Sequence, residues 1–243
     1  MKPDESNKPA AAEGTLVPLS SRDGDFNAFA CEPPNDRTPM GAVVLLHEIF
    51  GITDKIRGYA RDYASCGLRV IVPDLFWRIE AGVELGHDAQ DMKRAMARLK
   101  LFDDEAALAD TAACVAWLRQ GPSDIPISTI GFCLGGKLAV MARMRGLADA
   151  YVAYYGVGLD HVQGDLAQND APLLLHFGND DSYVPIESVR QLAPRLGKNV
   201  TLHGYDDTGH AFYRPGKTAA SSLSKERTLA FLRDISTINK ARS

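Results

Sequence analysis

The chain has 243 residues, 45% of them hydrophobic and 24% charged, a globular composition that argues against bulk disorder. Lys+Arg total 27 against 31 Asp+Glu, a formal net charge of −4 with no basic run, so nucleic acid is not an expected partner. No stretch approaches the roughly 20 apolar residues of a membrane helix, Met1–Gly14 lacks the apolar core of a signal peptide, and the four cysteines (Cys31, Cys66, Cys114, Cys133) form no C-x-x-C pair, which suits a reducing, cytoplasmic setting and argues against zinc.

Residues 1–14 read as a solvated tail and 15–243 as one domain, because no repeat, low-complexity tract or long linker interrupts them. Leu16–Ser20 and Phe26–Cys31 are short strands across a Ser-Arg-Asp-Gly-Asp turn. Gly41–Leu46 is a continuous apolar run, the pattern of a strand buried on both faces of a parallel sheet. Asp54–Ser65 has helical spacing, with Asp54 in its first turn and Gly67 just past its end. Leu68–Val72 is a second buried run, stopped by Pro73; Ala89–Leu99 and Asp103–Leu118 are amphipathic helices. Ile127–Ile130 is a strand, Cys133–Met144 a helix, and Tyr151–Tyr155, Leu173–Phe177 and Val200–Tyr205 are further strands. Ile186–Leu196 and Ser224–Ile238 supply the last helices. Strands alternating with 10–15-residue helices predict an α/β fold, a mostly parallel sheet covered on both faces. Ligands of such sheets bind beyond the C-terminal strand ends, so chemistry is expected just after each apolar run.

The strongest such signal is Gly131-Phe132-Cys133-Leu134-Gly135-Gly136, a Gly-x-nucleophile-x-Gly motif directly between a strand and a helix. That is the nucleophile elbow of α/β-hydrolases, with Cys where Ser is usual. Small flanking residues let strand and helix approach around a strained turn. The positive end of the helix is expected to lower the Cys133 thiol pKa. Gly131-x-x-x-x-Gly136-Lys137 also approximates a phosphate-binding loop, but Leu138 replaces the hydroxyl that would ligate magnesium.

A cysteine nucleophile needs a base and an orienting acid, in the order nucleophile, acid, His. His210 lies in a polar loop beyond a strand and is the candidate base; His203 lies inside a strand and His176 inside an apolar run, where packing roles are expected. Asp180 and Asp181 both follow the Leu173–Phe177 run, and residue chemistry alone does not choose between them. His47-Glu48-Ile49-Phe50-Gly51 follows the Gly41–Leu46 strand; Gly51 stands where a zinc protease needs its second His, so no metal is expected. In this fold that loop contributes one oxyanion-hole amide and the residue after the nucleophile the other, here Ile49 and Leu134. Glu48 alone reads equally as a solvated loop carboxylate.

Six segments in order resemble the dienelactone hydrolase (carboxymethylenebutenolidase) family: His-Glu-Ile-Phe-Gly at 47–51, Pro-Asp-Leu-Phe-Trp-Arg at 73–78, Gly-Phe-Cys-Leu-Gly-Gly at 131–136, Tyr-Tyr-Gly-Val-Gly-Leu at 154–159, Asp-Ser-Tyr-Val-Pro at 181–185 and Gly-His-Ala-Phe-Tyr-Arg at 209–214. The resemblance implies Cys133 as nucleophile, Asp181 rather than Asp180 as acid, His210 as base, and Glu48 as the group that takes the thiol proton when substrate binds. It further implies Arg78 and Arg214 as holders of a substrate carboxylate, for which Arg suits by its planar fork, and Tyr155 as an active-site tyrosine. The implied activity is cofactor-free opening of a small carboxylate-bearing lactone, 4-carboxymethylenebut-2-en-4-olide to maleylacetate in chloroaromatic breakdown; a monomer is expected. A broad carboxylesterase or thioesterase is the alternative, and a catalytically silent sensor is disfavoured by the intact Cys133, Asp181 and His210. Segment 79–88 departs from the family pattern, and its Glu80, Glu84 and Asp88 add negative charge near the expected carboxylate site.

Overall fold

A computed structural model describes residues 12–34, 38–122 and 124–240; the expected tail, through residue 11, lies outside them. Eight strands form one sheet in the order β1-β2-β4-β3-β5-β6-β7-β8. β3 (Gly41–Leu46), β5 (Ile127–Phe132), β6 (Ala150–Tyr154) and β7 (Leu173–Gly178) are buried along their whole length, as their unbroken apolar runs require. β4 (Leu68–Pro73) joins them in parallel, and β8 (Val200–Tyr205) forms the half-exposed edge beyond β7. At the other edge β1 (Gly14–Ser21) and β2 (Gly24–Cys31) pair as an antiparallel hairpin, and β2 runs antiparallel to β4. The expected α/β sheet is therefore present.

Connection handedness distributes the helices. The step from β3 through α1 (Asp54–Ser65) to β4 moves one way across the sheet; the steps through α4 (Asp104–Arg119) to β5 and through α5 (Leu134–Met144) to β6 move the other way. Right-handed crossovers in opposite directions place α1 on one face and α4 with α5 on the opposite one. Ion pairs follow this division: Lys225 of α7 (Ala219–Lys240) meets Asp62 of α1 at 2.6 Å, while Lys137 and Arg145, at the two ends of α5, meet Asp104 and Glu105 of α4, each at 2.7 Å. Arg143, 1% exposed, donates to the carbonyls of Ala171, Leu196 and Lys198 and so ties α5 to the segments that enter β7 and β8.

Some elements differ from expectation: α7 begins at Ala219 rather than Ser224, and a 3-10 turn spans Leu159–His161. The helix expected over Ile186–Leu196 is α6 (Ile186–Leu192) followed by a single 3-10 turn, because Pro194 lacks the amide and shape to continue it. A four-residue helix, α2 (Trp77–Glu80), follows β4 and was not foreseen; the remaining short helix, α3 (Ala89–Leu99), falls as expected.

His176 is fully buried in β7, as its apolar surroundings imply. Its Nδ1 lies 2.8 Å from the Tyr205 hydroxyl and its Nε2 3.0 Å from Thr228 Oγ1. Burial, reinforced by His203 and Arg227, holds its pKa well below the ordinary histidine value. In the unfolded chain this His takes up a proton near pH 6.5; in the fold it stays neutral. Its contribution is therefore intact above that pH and is lost as pH falls below it, by up to ~1.4 kcal/mol per pH unit. Urea midpoints measured from pH 7.5 to 5 are expected to fall more steeply in the wild type than in His176→Gln.

Candidate active site

The strand order reverses around β3: β4 lies on one side of it and β5 on the other. A crevice outside the carboxyl ends of strands forms at such a point. The loop after β3 carries His47, Glu48 and Ile49, and the residue after β5 is Cys133. Cys133 has φ 55° and ψ −112°, in the strained left-handed half of the map, and it caps α5. Its amide donates to Tyr154 O at 3.1 Å, and its carbonyl accepts from Gly136 at 3.0 Å. The flanking glycines are sterically required: a Cβ on Gly131 would sit 1.8 Å from Gly135 O, and one on Gly135 would sit 2.1 Å from Leu46 O.

The loops after β7 and β8 bring Asp181 and His210 together. Asp181 is buried, and its Oδ2 lies 2.7 Å from His210 Nδ1. Its Oδ1 accepts from the amides of Tyr183 (2.8 Å) and Val184 (3.0 Å), which fixes the carboxylate. Asp180 is exposed. Tyr155 is fully buried at φ 38°, its ring edge-on to His210 at 4.9 Å, with a hydroxyl that has no hydrogen-bond partner among the described residues. The Tyr155 hydroxyl also feels the charges of Glu48 and Cys133.

Glu48 is 3% exposed, which removes the solvated-carboxylate reading. Its backbone is pinned by His47: Nε2 accepts the Leu75 amide at 3.1 Å, so Nδ1 carries the proton and donates to Glu48 O at 2.5 Å. Burial is the main reason that His47 titrates below the ordinary range, consistent with this neutral tautomer. Glu48 Oε2 pairs with Lys55 Nζ at 2.6 Å, and Oε1 is buried without a partner among the described residues.

These surroundings reverse the expectation for the thiol. Burial first, then the Glu48 carboxylate, pushes Cys133 up to about 12, although the Leu134 amide donates to the sulfur and Lys55 adds positive charge. The positive helix end is present, but loss of water and a neighbouring anion outweigh it. The resting thiol is protonated.

The two arginines differ. Arg214 is exposed at the loop after β8 and makes no side-chain ion pair among the described residues. Arg78, in α2, gives Nη1 and Nη2 to Asp110 (2.6 and 3.0 Å) and Nε to Asp23 (2.8 Å), with its guanidinium 4.3 Å over the Trp77 ring. Asp110 is fully buried in α4 and also accepts Trp77 Nε1 at 2.9 Å. The acids of segment 79–88 are likewise engaged. Glu84 is held bidentately by Arg57 at 2.8 and 2.6 Å, Glu80 meets Arg94, and Asp88 caps α3. The Leu85 amide donates to Phe50 O at 2.9 Å, which fastens this segment onto the loop after β3.

Residue patterns gave no notice of Lys55 or Asp110. Lys55 is one charge in the first turn of a helix, and Asp110 is one acid within another; only the uncharged flank of Asp110, Leu108, Ala109 and Thr111, sets it apart. Among the described residues, no group of three or more His, Cys, Asp or Glu is arranged to hold a metal ion.

Two outcomes follow from this geometry. Arg78→Ala leaves the Asp110 charge buried and unpaired, so it should cost about 3 kcal/mol or more of stability, read as a lowered urea midpoint. Glu48→Gln removes the anion beside the thiol, so the apparent Cys133 pKa should fall by roughly one unit or more. Iodoacetamide labelling, followed from pH 7 to 10 with the site identified by mass spectrometry, should become faster in that variant.

The Dienelactone hydrolase family model matches residues 26–236. Carboxymethylenebutenolidase 1 of Cupriavidus pinatubonensis is 35% identical over 225 residues, covering 89% of this chain and 95% of that protein. The carboxymethylenebutenolidase of Pseudomonas putida is 33% identical over 227 residues, covering 89% and 94%. A crystal structure from Klebsiella pneumoniae, of a protein assigned as a dienelactone hydrolase, superposes with a TM-score of 0.77 at 23% identity over 91% of this chain and 98% of that one. An elbow cysteine at the sheet's switch point, a family match across nearly the whole described fold and relatives aligned end to end lead to one conclusion: the chain belongs to the dienelactone hydrolase family of carboxylic ester hydrolases.

Proposed function

We propose that this enzyme opens a small carboxylate-bearing lactone of the dienelactone type through a Cys133–His210–Asp181 triad. The observation that carries the reading is the meeting, at one strand-order reversal, of a strained elbow thiol with a buried carboxylate pair: Asp181 on His210, and Glu48 beside the sulfur. The family relatives named for carboxymethylenebutenolide hydrolysis support the substrate class.

A protonated thiol does not attack, so its proton must leave first. In this reading Glu48 takes it when substrate displaces the resting arrangement. The thiolate then adds to the lactone carbonyl carbon; a C–S bond forms and the carbonyl π electrons move to oxygen. The amides of Ile49 and Leu134 stabilise that oxyanion, each such donor being worth roughly 3–4 kcal/mol. Collapse breaks the ring C–O bond, and the departing enolate oxygen takes up the proton that Glu48 holds, which returns Glu48 to its anionic form. Water, deprotonated by His210, adds to the thioester carbonyl, the C–S bond breaks, and the departing sulfur recovers its proton from His210. Asp181 holds His210 in the tautomer that this requires. Tyr155 walls the His210 side of the site, and Arg214 faces the substrate's anionic end.

Hydrolysis of cis- and trans-dienelactone beside p-nitrophenyl esters tests the substrate class; preference for the simple esters would favour a broad carboxylesterase instead. Cys133→Ala should abolish turnover with an unchanged circular dichroism spectrum. Asp181→Asn should lower kcat by roughly a hundredfold or more, while Asp180→Asn stays close to wild type. The reverse ranking of these two variants would displace Asp181 from the triad.

A further inference from the structure

We propose that His47 is the positioning residue of the oxyanion hole: its ring turns the Glu48–Ile49 peptide so that the Ile49 amide faces the reacting carbonyl. This rests on the Ile49 and Leu134 amides being the oxyanion donors, as read above, and adds what holds the first of them in place.

The two donors start from one rung of the sheet. Leu46 at the end of β3 lies opposite Gly131 of β5, so Ile49 and Leu134 each stand three residues beyond a paired register. They are held by different means. Leu134 is the first residue of α5, and its amide donates to the Cys133 sulfur. Ile49 lies in a turn with no helix behind it. It is only 9% exposed, yet its amide donates to no acceptor among the described residues. Nearly all buried amides are paired, so an unpaired one at this place is open to a substrate oxygen.

One hydrogen bond sets the direction of that amide. The Glu48 carbonyl and the Ile49 N–H belong to the same planar trans peptide and point in opposite directions. His47 Nδ1 lies 2.5 Å from Glu48 O. Holding the oxygen on the ring therefore holds the N–H on the far side of the plane. A flipped peptide would present a carbonyl where the oxyanion forms, and repel it.

The ring can do this because both of its nitrogens are committed. Nε2 accepts the Leu75 amide at 3.1 Å, so the single proton of the neutral ring sits on Nδ1 and is donated to Glu48 O. The Leu75 amide is a rigid anchor, fixed on either side. The Asp74 amide donates to Asn27 O of β2 at 3.1 Å, and Asp74 Oδ1 accepts the Phe76 amide at 3.1 Å. The Phe76 ring stacks on His47 at 6.1 Å, and the Arg98 guanidinium lies 4.4 Å from the centre of that Phe76 ring. Burial first, then the Arg98 charge, keeps His47 neutral against the pull of the Asp74 and Glu48 carboxylates. A second proton, on Nε2, would set two N–H groups against each other at the Leu75 contact.

The two bonds of the ring can be removed one at a time. The side-chain amide of His47→Asn places an N–H at the position of Nδ1 and keeps the Glu48 O contact. His47→Gln reaches the position of Nε2, keeps the Leu75 contact and leaves Glu48 O unheld. His47→Gln should lower kcat by roughly a hundredfold, the loss expected for one oxyanion donor, with KM nearly unchanged. The loss should be alike for cis-dienelactone and p-nitrophenyl acetate, because both pass through an oxyanion. His47→Asn should recover most of it. Iodoacetamide labelling of Cys133 from pH 7 to 10 should keep its wild-type profile in His47→Gln, since Lys55 holds the Glu48 side chain separately. Equal kcat losses in the two variants, or a labelling profile that shifts along with kcat, overturn the assignment. NMR of the imidazole nitrogens in the folded wild type should show the Nδ1–H form from pH 5 to 8; an Nε2–H form, or titration in that range, overturns it without any variant. Turnover retained in Cys133→Ala overturns the triad reading, whereas an inert Cys133→Ala beside an undiminished His47→Gln overturns the role of His47 alone.

Discussion

The elbow at Cys133 is the constraint around which the rest of the molecule is arranged. A non-glycine residue at φ 55° costs about 1–3 kcal/mol and persists where its surroundings over-determine it. Here they do. β5 enters it fully buried, α5 leaves it at once, and the backbone on either side is locked by the Tyr154 carbonyl and the Gly136 amide. The close approach leaves no room for a Cβ at Gly131 or Gly135. Because β3 lies beside β5, the same tight packing brings the Glu48 loop against the elbow, so strain, sheet order and the position of the carboxylate are one geometric fact.

Charge around the elbow is arranged in local pairs rather than as a general field. Glu48 has Lys55, Glu84 has Arg57, and Asp110 and Asp23 have Arg78, while Asp181 is hydrogen-bonded to His210. The pairs differ in what surrounds them. Arg78 sits between two acids, one of them fully buried, and its aromatic neighbour Trp77 donates to the same carboxylate. It therefore joins α2, α4 and the β1–β2 turn into one unit. Arg57 with Glu84, and Leu85 with Phe50, hold segment 79–88 down on the loop after β3. The negative charge that this segment seemed to add is thus absorbed where it arises.

What the chain's residues disclosed, and what they withheld, follows from the range of the interactions involved. β3, α1 and α3 have the same limits in sequence and structure, because unbroken apolar runs and 3.6-residue spacing are local signals with clear ends. The elbow was legible for the same reason: its glycines, cysteine and flanking elements are contiguous. Asp181 could be separated from Asp180 only by resemblance, since both follow the same strand; burial and two backbone amides separate them physically. Lys55, Asp110 and the engagement of Arg78 were not legible. Each depends on a partner distant in sequence or in another element, 32 positions away for Arg78 and Asp110, and nothing in local pattern encodes that pairing. The thiol pKa failed for a related reason: the helix end is visible in sequence, but the desolvation and the Glu48 charge that outweigh it are tertiary.

That balance has a chemical consequence for the proposed mechanism. Thiolates, not thiols, are alkylated and oxidised, so a cysteine raised to about 12 at rest is protected in the absence of substrate. The protection comes from a group that the mechanism itself uses: Glu48 raises the thiol pKa while it is an anion and ceases to do so once it accepts the proton. Glu48 is itself held in place by Lys55, whose ammonium lies 2.6 Å from Oε2. In the proposed mechanism the anion that keeps the thiol protonated at rest is thus also the base that frees it, and one buried carboxylate serves both states.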